Sequence, residues 1–285
     1  MIRLLARRWL VNLLLAGIVG LLALLALGQH QRGERASRLT ALDPGRIGRI
    51  ELLRQDQPAV VLERDGAQWW MREPSAAPAD AGAVGRLLPV AEARSERAMP
   101  AAAADLDRLG LSAPAVRLRL DGLELRFGAT EPIAELRYVQ VGDIVHLVED
   151  RYLPWLMTPV PELLSRRLLP PGFSPGPGQI DGRPLGADAL AHLADATAER
   201  VEPLDGELSG HLLRIESADG GTALRFLVAD GGTRWSRLDQ RLTWLFTRPP
   251  LLEADEDAGL DLTDTPARPE PPAAPATAPP ADSTD

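Results

Sequence analysis

Twelve residues constrain the fold of this chain more than any others: Val116 to Phe127, VRLRLDGLELRF. Val116, Leu118 and Leu120 alternate with Arg117 and Arg119, and Leu123, Leu125 and Phe127 alternate with Glu124 and Arg126. Asp121-Gly122 stands between the two runs. A two-residue hairpin turn of this kind needs positive φ, which Asp and Gly tolerate, so the pattern predicts an antiparallel hairpin. Its register sets Arg119 opposite Glu124 on a wet face and Leu118 opposite Leu125 on a core face. The core face must then be covered by another part of the chain.

The surrounding sequence repeats this type of element. Leu136 to Val141, a Gly142-Asp143 turn and Ile144 to Val148 predict a second hairpin. Upstream, Ile47–Arg54, Ala59–Arg64 and Gln68–Met71 predict a shorter meander, with Asp65-Gly66 as one of its turns. Asp80 is placed to cap a helix whose Val84, Leu87, Leu88 and Ala91 follow the i, i+3, i+4, i+7 spacing, with Pro89 shortening or kinking it. Leu190, Leu193, Ala194 and Thr197 repeat that spacing further on. Each helix is followed by a strand segment, then by an alternating hairpin (VRLRLDGLELRFG and LLRIESADGGTALRFLV), then by another pair of strands (ELRYVQVGDIVHLV and TRWSRLDQRLTWLF). This reads as a degenerate duplication of helix, strand, hairpin, hairpin.

The ends differ in kind from this middle. Trp9 to Leu27 is 19 residues without a charge, and a helix of that length spans about 28 Å, close to a bilayer core. Arg3, Arg7 and Arg8 before it favour a cytoplasmic N-terminus. The alternative is a cleaved signal peptide ending near Ala26 and Gly28. After Pro250 the chain carries nine acidic residues against Arg268 alone, then a Pro/Ala-rich stretch, a composition that predicts disorder. PPGFSPGPG at 170–178 holds four prolines and reads as a linker.

The expected architecture is therefore α+β: an N-terminal transmembrane helix, two similar lobes that each pack a helix on antiparallel β-hairpins, and a disordered tail. The expected boundaries are 1–28 for the anchor, 29–44 for a juxtamembrane linker, 45–169 for the first lobe, 170–178 for the linker, 179–248 for the second lobe and 249–285 for the tail. The expected location is the bacterial inner membrane, single-pass, with the body periplasmic.

Composition narrows the chemistry. All 31 basic residues are arginine and there is no cysteine. Without lysine there is no Walker-type phosphate loop, Schiff base or lysine general base, and without cysteine there is no disulfide, thiolate or iron–sulfur chemistry. Residues 29–250 hold 27 arginines and 31 acids, so the body lacks the basic stripe of a nucleic-acid binder.

Few side-chain patterns carry chemistry. Gly172-Phe173-Ser174-Pro175-Gly176 matches a nucleophile elbow by letter, but Pro175 lacks the N–H that the oxyanion hole requires. Asp188, His192 and Asp195 share one helix face and are candidate metal ligands, against the simpler reading of a solvated face. Arg137, Arg166 and Arg167 are candidates to meet an anionic envelope component, and Trp155 is a further binding candidate. Trp69, Trp70, Trp155, Trp235 and Trp244 form either a carbohydrate or peptide platform or, as is commoner for aromatics in short sheets, a core. The histidines, His146 and His211 among them, lack a convincing carboxylate partner for acid–base work. No catalytic residue and no cofactor is expected.

Arg46 to about Leu169 resembles a bacterial domain family of unknown function best known from auxiliary proteins of gliding-motility-type ABC transporters. The resemblance rests on GRIGRIELL (45–53), Trp69-Trp70 followed by Pro74, the helix from Asp80, DLDRLGLSAP (105–114) with Gly110, Leu111 and Pro114, FGAT (127–130) with Gly128, and Tyr138 ahead of VHLV. These are markers of fold. The resemblance implies a non-enzymatic accessory or scaffolding protein beside a membrane-protein partner, of ABC type. An envelope ligand-binding module using a cleft between the lobes is the second expectation, its ligand unspecified.

Overall fold

The computed structural model describes residues 38–206 and 209–250. These fall into two compact units that divide between Leu163 and Leu164. The expected anchor at 9–27 and the acidic tail after Pro250 lie outside the described residues. Among the described residues no helix is long and apolar enough to cross a membrane, so the transmembrane helix of the expected architecture is not among the helices of the fold.

The α+β expectation is corrected too. Both units are dominated by antiparallel sheet, of nine strands in the first and seven in the second. The two predicted helices are short: α1 spans Ala81–Leu87 and α3 spans Ala187–Asp195, with α2 a single turn at Leu153–Leu156. Pro89 is the physical reason for the first, because the chain passes from α1 into a 3-10 turn at Leu88–Glu92.

In the first unit the strands are β1 (Arg49–Arg54), β2 (Val60–Asp65), β3 (Gln68–Glu73), β4 (Ala77–Pro78), β5 (Ser95–Pro100), β6 (Val116–Leu120), β7 (Leu123–Thr130), β8 (Leu136–Val141) and β9 (Ile144–Glu149). Their order across the sheet is β4-β3-β2-β1-β6-β7-β8-β9-β5. The Asp121-Gly122 hairpin has the expected register, with Arg119 opposite Glu124 and Leu118 opposite Leu125. One face buries Ile50, Leu52, Leu118, Leu120, Leu125, Phe127 and Val139, each side chain contributing roughly 1.5–3 kcal/mol by leaving water. α1 adds Ala83, Val84 and Leu87 to the buried set. The Asp80 carboxylate starts that helix by accepting from the Ala83 N–H at 2.7 Å.

The second unit holds β10 (Pro175–Ile180), β11 (Arg183–Pro184), β12 (Arg200–Pro203), β13 (His211–Ser217), β14 (Ala223–Ala229), β15 (Arg234–Arg237) and β16 (Leu242–Leu245), ordered β11-β10-β13-β14-β15-β16-β12. Within each sheet, the strand that follows the helix (β5 or β12) lies beside the last strand of its unit (β9 or β16). The core of the second unit is aromatic: Phe226 meets Trp235 edge-on at 5.8 Å and Trp244 at 6.5 Å. Trp235 is fully buried and donates its indole N–H to the Gly232 carbonyl at 2.7 Å.

The expected Pro/Gly linker is not a linker over its second half, since β10 begins at Pro175 and pairs with β13. β11 meets β10 only at Gln179 and Ile180 among the described residues, and the β10–β13 register shifts between Pro175 and Gly178, so the prolines occupy an irregular stretch of the strand, where a missing N–H is tolerated. The glycines serve proximity: a Cβ on Gly178 would sit 2.7 Å from Leu190 of α3. The bare backbone there lets α3 rest on β10.

Candidate functional site

Much of the charge on the wet face of the first sheet is fixed in place. Alternation along β1, β2, β3, β6 and β7 brings Arg72, Glu63, Arg49, Glu51, Arg119, Glu124 and Arg126 to one side, where they join in an unbroken chain of ion pairs across five strands. Arg49–Glu51 and Arg119–Glu124 are both 2.8 Å, and Arg126–Glu124 is 2.7 Å. The hydrogen bond from Arg49 holds the Glu51 carboxyl below its usual range, and that from Arg126 does the same for Glu124. Each exposed link adds little stability alone. Together they hold the side chains of five neighbouring strands in a set arrangement.

The expected anion-binding arginines behave differently from one another. Arg137 is not available to a ligand. Its Nε and Nη2 clasp the Asp150 carboxylate at 2.5 and 2.6 Å, Nη2 also reaches Thr130 Oγ1 at 2.9 Å, and Nη1 donates to the Gly128 carbonyl. This clasp lowers the Asp150 pKa, the hydrogen bonds from Arg137 being the largest cause. Arg166 and Arg167 are exposed, on a segment of the second unit that runs against Ala196–Ala198. Arg166 reaches the Glu199 carbonyl at 3.4 Å. Trp155 packs edge-on against Tyr152 at 5.8 Å in the first unit.

The remaining candidates resolve to core packing or to separate exposed positions. Trp69, Trp235 and Trp244 are buried, so the five tryptophans do not form a platform. Asp188, His192 and Asp195 are not brought together as ligands, and the described residues contain no group of three His, Cys, Asp or Glu able to hold a metal. His192 instead bonds the Asp188 carbonyl at 2.8 Å, one turn back in α3. His146 is buried against Ser95 Oγ at 3.0 Å, and burial pushes its pKa down. Ser174 is exposed immediately before β10 and lacks the following helix of a nucleophile elbow.

The fold markers have a shared structural reason. The loop through Gly110 and Leu111 lies on β7, where the Ala129 N–H donates to the Leu109 carbonyl at 2.8 Å. A Cβ on Gly128 would lie 2.3 Å from that carbonyl oxygen, so only glycine allows the contact. Leu111 and Pro114 are buried there, Trp70 and Tyr138 are half-buried, and Trp69 is in the core.

One concavity of the second unit was not legible in the sequence. It is a recess of about 960 Å³ over the solvent side of the seven-stranded sheet, within the range of small-molecule sites. Two cross-strand rows make its floor. Gln179, Arg214 and Arg225 are in register on β10, β13 and β14, and Leu212 and Leu227 are in register on β13 and β14. Leu238 and Asp239, between β15 and β16, also line it, as does Asp181 just after β10. Leu212 and Leu238 are 49% and 51% exposed, so the recess offers apolar surface to whatever enters. The five-residue connection Ala218–Thr222 sets which arginine faces which, and that register is not readable from alternation alone.

A family model described as domain of unknown function (DUF4340) matches residues 69–181. The chain is thus similar to that domain from β3 through the end of β10, and the resemblance stands at that level. No curated protein and no solved structure matches the chain. What fold and site define is a mostly antiparallel β protein of two units, with a charge-braced sheet in one and a cation-bearing recess in the other.

Proposed function

We propose that this protein is a non-enzymatic accessory or scaffolding protein that works at the periplasmic side of the bacterial inner membrane, beside an ABC-type transport complex. The observation that carries the reading is the ion-pair chain on the wet face of the first sheet. Seven charged side chains on five strands are committed to one another, an arrangement suited to a stiff platform. Catalytic groups, by contrast, converge on one reacting point. The similarity to a domain of unknown function supports an accessory role through the resemblance to transporter auxiliary proteins.

The test is crosslinking in cells followed by purification of the full-length chain and mass spectrometry. Recovery of a permease or ATPase subunit is the expected result, and its loss on Glu124→Arg would tie the contact to the platform. Recovery of the chain with no membrane protein would sink the reading. A second reading, an envelope ligand-binding module, is favoured by the recess of the second unit.

A further inference from the structure

We infer that the recess on the second unit binds an amphipathic anion: an alkyl chain ending in a carboxylate or phosphate. The inference rests on the ligand-binding reading and names its chemistry. Arg214 and Arg225 face each other directly across β13 and β14, and like charges so placed repel. Arg214 shares its charge with Glu216 at 3.0 Å. Arg225 is exposed and has no ion-pair partner among the described residues.

The two acids that line the recess do not answer this charge. Asp181 gives one oxygen to His211 Nδ1 at 2.6 Å and the other to the Leu212 N–H at 2.8 Å. Asp239 is clasped by Arg237, whose Nε lies 3.1 Å from Oδ1. The recess therefore presents donors at Arg225 and Gln179 that no described side chain engages, while its two acids are each held by a neighbour, so its polar end fits a group made of acceptors. Beside that end lie Leu212, Leu227 and Leu238, exposed enough at Leu212 and Leu238 to gain from being covered. A short anion would leave the leucines wet, and a neutral alkane would leave the arginines facing each other unrelieved. An anionic head on a single chain satisfies both rows of the floor.

The experiment measures thermal shift and calorimetric binding on the full-length chain. Its probes are laurate, dodecyl phosphate, dodecanol and inorganic phosphate, each below any micelle-forming concentration. Laurate or dodecyl phosphate raises the melting temperature in a saturable way, and the tighter of the two identifies the head. Dodecanol and inorganic phosphate bind far more weakly. Arg225→Gln weakens the amphiphile about tenfold, or ~1.4 kcal/mol, and Leu212→Ser weakens it with circular dichroism unchanged.

Dodecanol binding as well as laurate, or Arg225→Gln leaving affinity unchanged, would overturn the inference. Saturable binding of inorganic phosphate that Arg225→Gln abolishes, with no gain from an alkyl chain, would also overturn it but leave the ligand-binding reading standing. No shift from any of the four probes would remove both.

Discussion

Gly128 offers a sharp test of how the first unit is held together. In Gly128→Ala the new methyl group would lie 2.3 Å from the Leu109 carbonyl oxygen and 2.9 Å from Leu111 Cδ2, far inside van der Waals contact. The neighbour is backbone, so it cannot rotate away. The loop through Gly110 must lift from β7, and the Ala129-to-Leu109 hydrogen bond stretches with it. Overpacking of this kind costs about 1–3 kcal/mol, and a lost backbone hydrogen bond adds roughly 1 kcal/mol. The expected destabilisation is therefore ~2–4 kcal/mol. Gly85→Ala is the matched control: it is exposed in α1, and nothing lies within 4 Å of its added Cβ. There the methyl group restricts the unfolded chain and suits the helix, so the variant gains about 0.4–1 kcal/mol. Urea unfolding followed by circular dichroism gives both numbers, and hydrogen exchange at the Ala129 amide localises the first. If Gly128→Ala changes stability by less than about 0.5 kcal/mol, the surface-mutation scale, the close approach does not govern the loop and the reasoning fails.

Three further outcomes follow from the same packing. Asp150→Asn leaves Arg137, only 11% exposed, without its anion, and should cost about 1.5–3 kcal/mol, the worth of hydrogen bonds to a charged group. Because Asp150 has its folded pKa lowered, its contribution is present above about pH 4 and fades as pH falls through the folded value; melting temperature against pH should show that acid limb flattened in the variant. His146 also has its folded pKa lowered, by burial, so the unfolded chain takes up its proton first. Stability is complete above about pH 6.5 and declines as pH drops below it, and His146→Gln should remove that slope in a titration of melting temperature. Trp235→Ala empties the centre of the second core and leaves the Gly232 carbonyl without its donor. It should cost about 3–5 kcal/mol by denaturant unfolding.

The hairpins were legible because their rules are local. Asp121-Gly122 carries the turn, and alternation then dictates that Arg119 meets Glu124 and Leu118 meets Leu125. Asp80 was legible as a cap for the same reason. What escaped was set by distance along the chain. Arg137 reads as a free cation until β8 and β9 bring Asp150 against it, a partner that periodicity within one strand cannot show. Pro175 and Pro177 read as a linker because the rule against proline in strands does not foresee the register shift that admits them to β10. The recess was hidden twice over, since Arg214 and Arg225 are neighbours only after a loop register is chosen, and Leu238 belongs to a connection that alternation treats as a turn.

The strand order has a consequence for how each unit comes into being on the ribosome. Ser95–Pro100 has no ladder partner until Ile144–Glu149 has been made, and Arg200–Pro203 waits likewise for Leu242–Leu245. Until then neither flank of these strands has its ladder partner, and in the finished sheets each strand becomes a terminal one. Closing it joins segments far apart in the chain, the slowest kind of contact to form and the kind most exposed to mispairing while it is awaited. A nascent chain halted before Leu242 would hold Val201, buried in the finished unit, without the strand it packs beside. Each unit is thus finished by its last hairpin, which turns an open row of strands into a completed sheet in a single late step.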